Sequence, residues 1–187
     1  MLSTLSKEIE QSLILFLDSD TVDIKKSQMV KEYKNWGKEY RIEFGIKVIK
    51  LPSVQWVNVF HFTAHDSNNG QYGDRIPAVF ILKDGKAHIC SAVNDEKNLC
   101  KNYNFELGKK YQATIHQFKK DGKYWYEIII DGKSKFKIEN SNPKSFANVK
   151  LYASDPWHAS FSSDLGMIYN AKITVPDIDI PGMYHFF

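Results

Sequence analysis

Several features that mark membrane, metal-binding and nucleic-acid-binding chains are scarce in this sequence. Its longest apolar runs, residues 13–17 and 78–82, have five residues each, far fewer than the roughly 20 residues that a membrane-spanning helix needs. Lysine and arginine exceed aspartate and glutamate by only three, 25 against 22. They are spread along the chain rather than gathered into the basic stripe of a nucleic-acid binder. We therefore expect no membrane span and no nucleic-acid partner.

Only two cysteines are present, Cys90 and Cys100, and they form no Cys-x-x-Cys pair of the zinc or thioredoxin-like type. They flank the polar stretch 94–98, a spacing that favours a disulfide across a loop, which would contribute roughly 3 kcal/mol. The alternative is two free thiols in neighbouring strands. Because disulfides persist in oxidising compartments, we expect a secreted or extracellular protein, although residues 1–22 show no signal-peptide pattern.

Aromatic residues are abundant, at 14% of the chain, and residues 39–48 alternate with period two, as a half-buried strand does. The apolar members are Tyr40, Ile42, Phe44, Ile46 and Val48, and the polar members are Glu39, Arg41, Glu43 and Lys47. Asp-Gly turns at 121–122 and 131–132 divide residues 111–139 into three strands. Further strands are expected at 54–64, 78–82, 86–93, 149–153 and 167–175. This pattern predicts an all-β, two-sheet antiparallel sandwich.

The chain shows no linker, composition break or internal repeat, so we expect one β-sandwich domain over residues 1–187. Its core is predicted at about 23–175, with a lead-in at 1–22 and a tail at 176–187. Weak helical spacing of Leu2, Leu5, Ile9 and Leu13 predicts a short helix or an irregular lead-in.

Residues 107–133, a strand after a polar turn and a partner ending in an Asp-Gly hairpin, resemble the laminin G-like and pentraxin-like core. Three strings add to this: YGDRIP at 72–77, HICSAVN at 88–94 and LYASDPW at 151–157. They resemble concanavalin A-like domains of secreted invertebrate proteins, cnidarian ones especially. The resemblance covers about residues 23–174 and implies a jelly-roll sandwich and secretion. It implies no particular ligand, because one fold hosts many functions.

Residues 65–75 form the best candidate for a functional loop. Asp66, Asn68 and Asp74 offer hard oxygen ligands of the kind that Ca²⁺ prefers, and Gly70 and Gly73 let the backbone turn. These three oxygen-bearing residues predict a calcium site. The alternative is an Asx-rich turn whose side chains bond to their own backbone.

Sugar binding needs an aromatic ring for the apolar face of the sugar and polar groups for its hydroxyls, held on rigid loops. Such groups are found at His65, Asn68, Tyr72, Asp74 and Arg75 in one loop, and at Asp155, Trp157 and His158 in another. We predict that these two loops bind the ligand. In the alternative, Trp157 covers the sandwich core, Asp155 caps a turn, and Asp74 and Arg75 form a buried ion pair.

The lysines of the predicted three-stranded meander have two interpretations. One is a basic sheet face that binds sulfated glycans, which the resemblance to laminin G-like domains implies, and the other is a solvated face. These lysines are Lys119, Lys120, Lys123, Lys133, Lys135 and Lys137.

The sequence contains no Glu-x-Asp-x-x-Glu string of concanavalin A-like glucanases, no Gly-x-Ser-x-Gly elbow and no His-Glu-x-x-His. His61, His88 and His116 fall in predicted strands and are expected to be satisfied core or face residues. We therefore expect no enzyme but an extracellular carbohydrate-binding, lectin-like or adhesion module that binds a glycan or protein at one end of the sandwich. The alternative is a structural, protein-binding or self-assembling extracellular domain, a homo-oligomer without a glycan ligand.

Overall fold

The structure, a computed structural model, describes residues 13–14 and 24–176. Thirteen strands lie within these ranges. They are β1 (Leu13–Ile14), β2 (Met29–Trp36), β3 (Tyr40–Val48), β4 (Trp56–Thr63), β5 (Ala78–Leu82), β6 (Ala87–Val93), β7 (Glu96–Tyr103), β8 (Lys110–Lys120), β9 (Lys123–Ile130), β10 (Lys133–Glu139), β11 (Phe146–Tyr152), β12 (Ala159–Ser160) and β13 (Gly166–Thr174). None of the described residues forms a helix, so none forms a helix long and apolar enough to cross a membrane.

Two sheets pack face to face. Sheet A has the strand order β1-β13-β3-β8-β9-β10, and sheet B has the order β2-β11-β4-β5-β6-β7, with the short β12 beside β4. All neighbours are antiparallel except the two-residue pairing of β12 with β4. The predicted all-β antiparallel sandwich is confirmed. The boundaries predicted for a single domain stay a prediction, and the lead-in around Leu2, Leu5 and Ile9 lies outside the described residues, as does the tail beyond Pro176.

The core lies between the sheets and follows the alternation seen in the sequence. On β3 the five apolar side chains predicted to face inward are all 5% exposed or less, while Arg41, Glu43 and Lys47 are half-buried on the outer face. Across the interior the Phe44 ring meets the Phe60 ring edge-on, with the centroids 4.9 Å apart. Burying such rings is the main favourable contribution to folding.

Tight turns join the strands where the sequence supplies residues that tolerate positive φ. Asp121-Gly122 and Asp131-Gly132 adopt positive φ at both positions, as the predicted hairpin turns require. A third hairpin, between β6 and β7, turns at Asn94-Asp95, again with positive φ at both residues. This turn has no glycine, so β7 was not predicted. Strand β2 was also not predicted, because its two buried aromatics are three residues apart rather than two.

A β-bulge in β10 corrects the prediction that Lys133, Lys135 and Lys137 share one face. The pairing with β9 shifts between Ser134 and Phe136, which leaves Lys135 as the extra residue. Lys133 therefore pairs with the core residue Ile130, whereas Lys137 pairs with Glu127 on the outer face. The simple alternation fails because a bulge reverses the facing of the residues that follow it.

Candidate functional site

The outer face of sheet B is covered by two loops, residues 64–77 between β4 and β5 and residues 153–158 between β11 and β12. These are the two loops in which the sequence predicts ligand-binding residues. Both reach His61 of β4: Asp74 through its backbone carbonyl and Asp155 through its carboxylate. The structure therefore brings the two predicted loops together around His61, which is the satisfied strand residue that the sequence led us to expect.

A bulge in β4 places His61 on this outer face. Asn58 pairs with Phe80 and Phe60 pairs with Val79, so Val59 is the extra residue. Val59 and Phe60 both join the core. As a result Trp56 and His61, five positions apart, lie on the same outer face, although strict alternation would put them on opposite faces.

Both ring nitrogens of His61 act as donors. Nε2 lies 2.6 Å from the Asp74 carbonyl oxygen, and Nδ1 lies 2.8 Å from Asp155 Oδ2. A carbonyl oxygen and an ionised carboxylate can only accept, so the ring carries a proton on each nitrogen. His61 and Asp155 are both fully buried. They form an ion pair that ties the second loop to the sheet while also holding the first.

Asp155 organises the second loop. Its Oδ1 accepts from the backbone N–H groups of Trp157 and His158, and the His158 ring Nδ1 donates to the same carboxylate at 2.9 Å. Burial by itself raises the pKa of the Asp155 carboxyl, but the hydrogen bonds and charges of His158 and His61 hold this pKa well below its usual range. The carboxylate is thus ionised and has every oxygen engaged.

Asp74 organises the first loop in the same way. Its Oδ1 accepts from His65 Nδ1 at 2.9 Å, and its Oδ2 accepts from the backbone N–H of Gln71 at 2.8 Å. The Asp74 side chain is fully buried, while that of His65 is 36% exposed. His65 therefore remains at the surface, where a ligand can reach it.

Arg75 lies beneath the first loop. Its guanidinium donates to both the backbone and the side-chain oxygen of Asn68 and to the Asn98 side chain, and it lies 4.9 Å from the centre of the Phe80 ring. Desolvation lowers the pKa of Arg75, and the nearby carboxylates of Asp155 and Asp74 act against this. No described carboxylate lies within ion-pair distance of Arg75, so the predicted Asp74–Arg75 ion pair is wrong.

Burial decides which predicted residues a ligand can reach. Asp74, Arg75 and Asp155 are at most 5% exposed, so in this structure they hold the loops instead of facing a ligand. The turn-capping alternative describes Asp155 well, since it accepts from two N–H groups of its own loop. Direct contact of these three side chains with a ligand stays a prediction.

The three predicted calcium ligands each have a different partner. Asp66 accepts from Lys150 Nζ and from the Tyr152 hydroxyl, which lower the pKa of its carboxyl. Asn68 is bound to Arg75, and Asp74 to His65 and Gln71. Calcium binding at this loop stays a prediction.

Tyr72 is engaged at its ring and at its hydroxyl. The ring stacks on Phe146 with centroids 6.1 Å apart, and Lys144 Nζ lies 4.2 Å from the ring centre. The hydroxyl donates to the Ala92 carbonyl oxygen. Because Tyr72 already has these partners, it has little free ring surface for a sugar.

Trp157 and His158 are partly exposed, and both pack on the strands below. The Trp157 ring meets His61 and Tyr152 edge-on, at 5.3 and 6.1 Å between centroids. The His158 ring lies 4.9 Å from that of Phe80. Each ring therefore covers part of the sheet and keeps some surface open, and ligand binding by Trp157 and His158 stays a prediction.

The predicted loops frame a cluster of which the sequence indicated only His158, and we call this cluster the outer-face site. It consists of Trp56, Phe80, His88, Asn102 and His158. Phe80 is fully buried at its centre, and Trp56 and His88 lie 6.0 and 6.1 Å from it, between ring centroids. Asn102 pairs with His88 across β6 and β7. The sequence contained one indication of this cluster: His88 and Cys90 lie two residues apart on a predicted strand, so their side chains share a face.

The Cys90–Cys100 disulfide lies beside this site. It joins directly opposed residues of β6 and β7, with the Cα atoms 4.1 Å apart. The predicted disulfide is therefore present, although it links two neighbouring strands rather than closing an irregular loop. His88 bridges the two features, because its Nε2 lies 2.9 Å from Cys90 Sγ and its Nδ1 donates to Asn102 Oδ1. Desolvation lowers the pKa of His88.

No family model matches this chain, and no curated protein matches it. Similar solved structures are known. The receptor-binding domain of botulinum neurotoxin D aligns with 93% of this chain and 46% of its own, at 11% identity and a TM-score of 0.53. That of a mosaic serotype C/D botulinum neurotoxin aligns with 75% of this chain and 33% of its own, at 11% identity and a TM-score of 0.50. An alginate lyase aligns with 75% of this chain and 64% of its own, at 17% identity and a TM-score of 0.46.

This chain thus spans less than half of either toxin domain structure. At such low identities the likeness shows a shared β-sandwich fold. The finer prediction, a concanavalin A-like or laminin G-like relationship of the cnidarian type, stays a prediction, as does the expectation that the chain is not an enzyme.

Proposed function

We propose that this chain is an extracellular glycan-binding module whose ligand lies on the outer-face site. The observation that carries the proposal is Trp56, which is 40% exposed on a central strand of sheet B. Its ring is held edge-on against His88, with centroids 4.9 Å apart. A large aromatic ring that is fixed below and open above offers a platform for the apolar face of a sugar.

Hydrogen-bonding groups surround this platform. His88 and Asn102 lie on β6 and β7, and His158 lies across Phe80 from them. Imidazole and amide groups donate to and accept from hydroxyls, which is the chemistry that a sugar ring presents. Because the strands and the Asp155 carboxylate hold these groups, little conformational entropy is lost when a ligand binds.

The predicted loops take part in two ways in this proposal. Asp74, Arg75 and Asp155 fix the loops from within, while His65, Trp157 and His158 form the border that a ligand meets. Asn68 and Tyr72 support the first loop. The proposal includes a calcium ion at Asp66, Asn68 and Asp74, which would stabilise this loop.

Secretion belongs to the same proposal. The Cys90–Cys100 disulfide favours an oxidising compartment, and a glycan ligand is typical of the cell exterior. The neurotoxin receptor-binding domains support the fold of such a module and do not specify its ligand.

A glycan array tests the proposal, run on the folded protein once with calcium and once with EDTA. We expect binding to at least one glycan class, and a loss in EDTA if the calcium prediction is right. Trp56→Ala is expected to weaken that binding at least about tenfold, or about 1.4 kcal/mol.

Trp125→Ala is the matched control, because Trp125 is a half-buried tryptophan on the outer face of sheet A. It is expected to bind as the unaltered protein does. If the folded protein binds no glycan on the array, either with calcium or with EDTA, the glycan proposal is ruled out. Equal binding by the Trp56 variant would rule out the outer-face site.

The second candidate function is self-association, and edge strand β2 favours it. Among the strands of residues 13–14 and 24–176, β2 pairs only with β11, and Met29 and Val30 on it are 52% and 37% exposed. A second copy of the chain can add its own β2 antiparallel to this edge by two-fold symmetry. Light scattering over a wide concentration range tests this: Val30→Lys is expected to abolish a dimer, and a protein that is monomeric throughout contradicts it.

A further inference from the structure

Three metal-ligand atoms converge beside the outer-face site. His88 Nε2, Cys90 Sγ and Cys100 Sγ all lie within 4.8 Å of one another. His88 and Cys90 share the outer face of β6, and Cys100 lies directly opposite Cys90 on β7. Two paired strands thus hold all three groups, so the arrangement does not depend on a mobile loop.

We propose that reduction of the Cys90–Cys100 disulfide creates a binding site for Zn²⁺, formed by the two thiolates and His88. In the disulfide neither sulfur is a thiolate, which is the form that binds metal. The oxidised protein therefore lacks the site and the reduced protein has it. This inference does not rest on the glycan proposal, which concerns the oxidised protein.

The donor set suits zinc. Two thiolates and one imidazole leave the fourth position of a tetrahedron for a solvent or exogenous ligand, as in open zinc sites. Zinc binds sulfur at about 2.3 Å and nitrogen at about 2.0 Å, so ligand atoms around it lie roughly 3.3–3.8 Å apart. His88 Nε2 is 2.9 Å from Cys90 Sγ, and the opened disulfide lets both sulfurs rotate. Shifts of about 1 Å therefore complete the geometry.

The imidazole is already oriented. Nδ1 of His88 donates to Asn102 Oδ1, which fixes the tautomer and leaves the Nε2 lone pair facing the sulfurs. Ligating histidines in metal sites usually have such a partner on the other nitrogen. Cys100 Sγ also lies 3.3 Å from Asn98 Oδ1, and Arg75 donates to that same oxygen. The guanidinium therefore supplies positive charge near the thiolates before a metal binds.

The two steps balance. A phosphine reductant, the disulfide and water give the phosphine oxide and two thiols, so that phosphorus is oxidised and sulfur reduced. Zn²⁺ then binds the two sulfurs and releases two protons, with no transfer of electrons. A thiol reductant does the same and leaves as its own disulfide.

The test uses the full chain, reduced by a phosphine, freed of reductant without oxygen and titrated with Co²⁺ as a spectroscopic substitute for Zn²⁺. We expect one equivalent to bind, with thiolate-to-cobalt charge transfer and the visible bands of a tetrahedral site. Zn²⁺ should displace the cobalt. The oxidised protein should show none of these bands.

Variants separate a built site from chance thiol binding. His88→Ala should weaken Co²⁺ binding and change the visible bands, and Asn102→Ala should weaken it about 10- to 100-fold. His116→Ala, which removes a strand histidine of sheet A, is the matched control and should bind as the unaltered chain does. Identical spectra and affinities for His88→Ala and the unaltered protein would overturn the proposal, as would equal binding by oxidised protein.

Reduction itself could unfold the chain, and circular dichroism follows this. In that case Zn²⁺ is expected to restore the strand signal while Mg²⁺ does not, because zinc binding then contributes folding free energy. A reduced chain that stays unfolded with Zn²⁺, or that refolds equally well as the His88→Ala variant, would overturn the proposal.

Discussion

Each outer face of the sandwich carries a histidine–carboxylate pair, in different surroundings. On sheet B, His61 and Asp155 are 2.8 Å apart and both side chains are 0% exposed. On sheet A, His116 and Glu127 are 3.0 Å apart and their side chains are 13% and 11% exposed. Loops cover the first pair, whereas the second lies on a sheet surface that solvent still reaches.

The two histidines also differ in the hydrogen-bond acceptors around their ring nitrogens. His61 faces two acceptors, the Asp155 carboxylate and the Asp74 carbonyl, and donates to both. His116 has Glu127 at Nε2. Desolvation lowers the pKa of His116 despite that hydrogen bond. For Glu127 burial acts to raise the pKa, but bonds from Ser134 and His116 outweigh it and lower this pKa. Burial thus disfavours the charged form of the sheet A imidazole, while His61 on sheet B has an acceptor at each ring nitrogen.

This difference teaches how the sandwich builds a rigid surface. A buried ion pair is costly to desolvate, and it is retained only where further hydrogen bonds satisfy both partners. Asp155 meets this condition because three more bonds, from Trp157 and His158, reach its oxygens. The pair therefore couples two loops to the sheet, which an exposed pair such as Arg41–Glu43 cannot do.

Of the changes predicted here, Asp155→Ala is expected to lower the free energy of unfolding the most. Removing the carboxylate leaves His61 as a buried, unpaired donor, which costs about 3–5 kcal/mol. Urea denaturation measures the loss. Asp155→Asn keeps the shape and can donate its amide N–H to a neutral His61, so it should recover part of that loss. If Asp155→Ala costs less than about 1 kcal/mol, the loops do not depend on this pair.

Removing the disulfide is the next largest change. Cys90→Ala with Cys100→Ala should lower the free energy of unfolding by about 2–3 kcal/mol, because the unfolded chain regains the entropy of a closed loop of this length. Reduced and oxidised unaltered protein should differ by a similar amount in metal-free buffer. A stability unchanged in both experiments would show that the β6–β7 hairpin needs no cross-link.

Lowering the pH should remove the stability that the ionised Asp155 carboxylate contributes to the sheet B face. A carboxyl whose pKa is lowered in the folded state adds stability above the unfolded pKa, about 3.9 for aspartate, and loses it as pH falls through the folded pKa. The stability advantage over the uncharged variant His61→Gln with Asp155→Asn should therefore hold from about pH 5 to pH 4 and shrink below that. Carboxyl chemical shifts should show Asp155 titrating below the ordinary aspartate pKa of about 3.9; a midpoint at about pH 4 or above contradicts the prediction.

Glu127→Gln is expected to have the smallest effect. Its pair is partly solvated, with side chains 13% and 11% exposed, so the loss should stay within about 1 kcal/mol. A double-mutant cycle of His116 with Glu127 should likewise give a smaller coupling than one of His61 with Asp155. Equal couplings would show that the loops over sheet B add nothing to the buried pair.

Much of the fold was predictable because it depends on local patterns. Alternation placed the core face of β3, and Asp-Gly turns placed the hairpins of β8, β9 and β10. The failures have local causes as well. Asn94-Asp95 turns without the glycine that signals a hairpin, and the extra residue Lys135 reverses the facing of β10.

The candidate site was predictable only in part. Polar and aromatic residues in loops 65–75 and 155–158 indicated two segments that the structure brings together at His61, but not which of their side chains are buried. Trp56 was missed because Val59 bulges, and one inserted residue changes which side chains share a face. Burial of Asp74 and Asp155 depends on a contact between distant segments, which no local pattern encodes.

The sequence by itself determined the sandwich, its hairpins and the presence of two polar loops, because strand periodicity and turn chemistry act between neighbours in the chain. Only the tertiary structure decided that His61 would link those loops, that Cys90 would oppose Cys100, and that Trp56 would stand open beside His88. These outcomes depend on strand register and on bulges, and register is set by the packing of whole sheets.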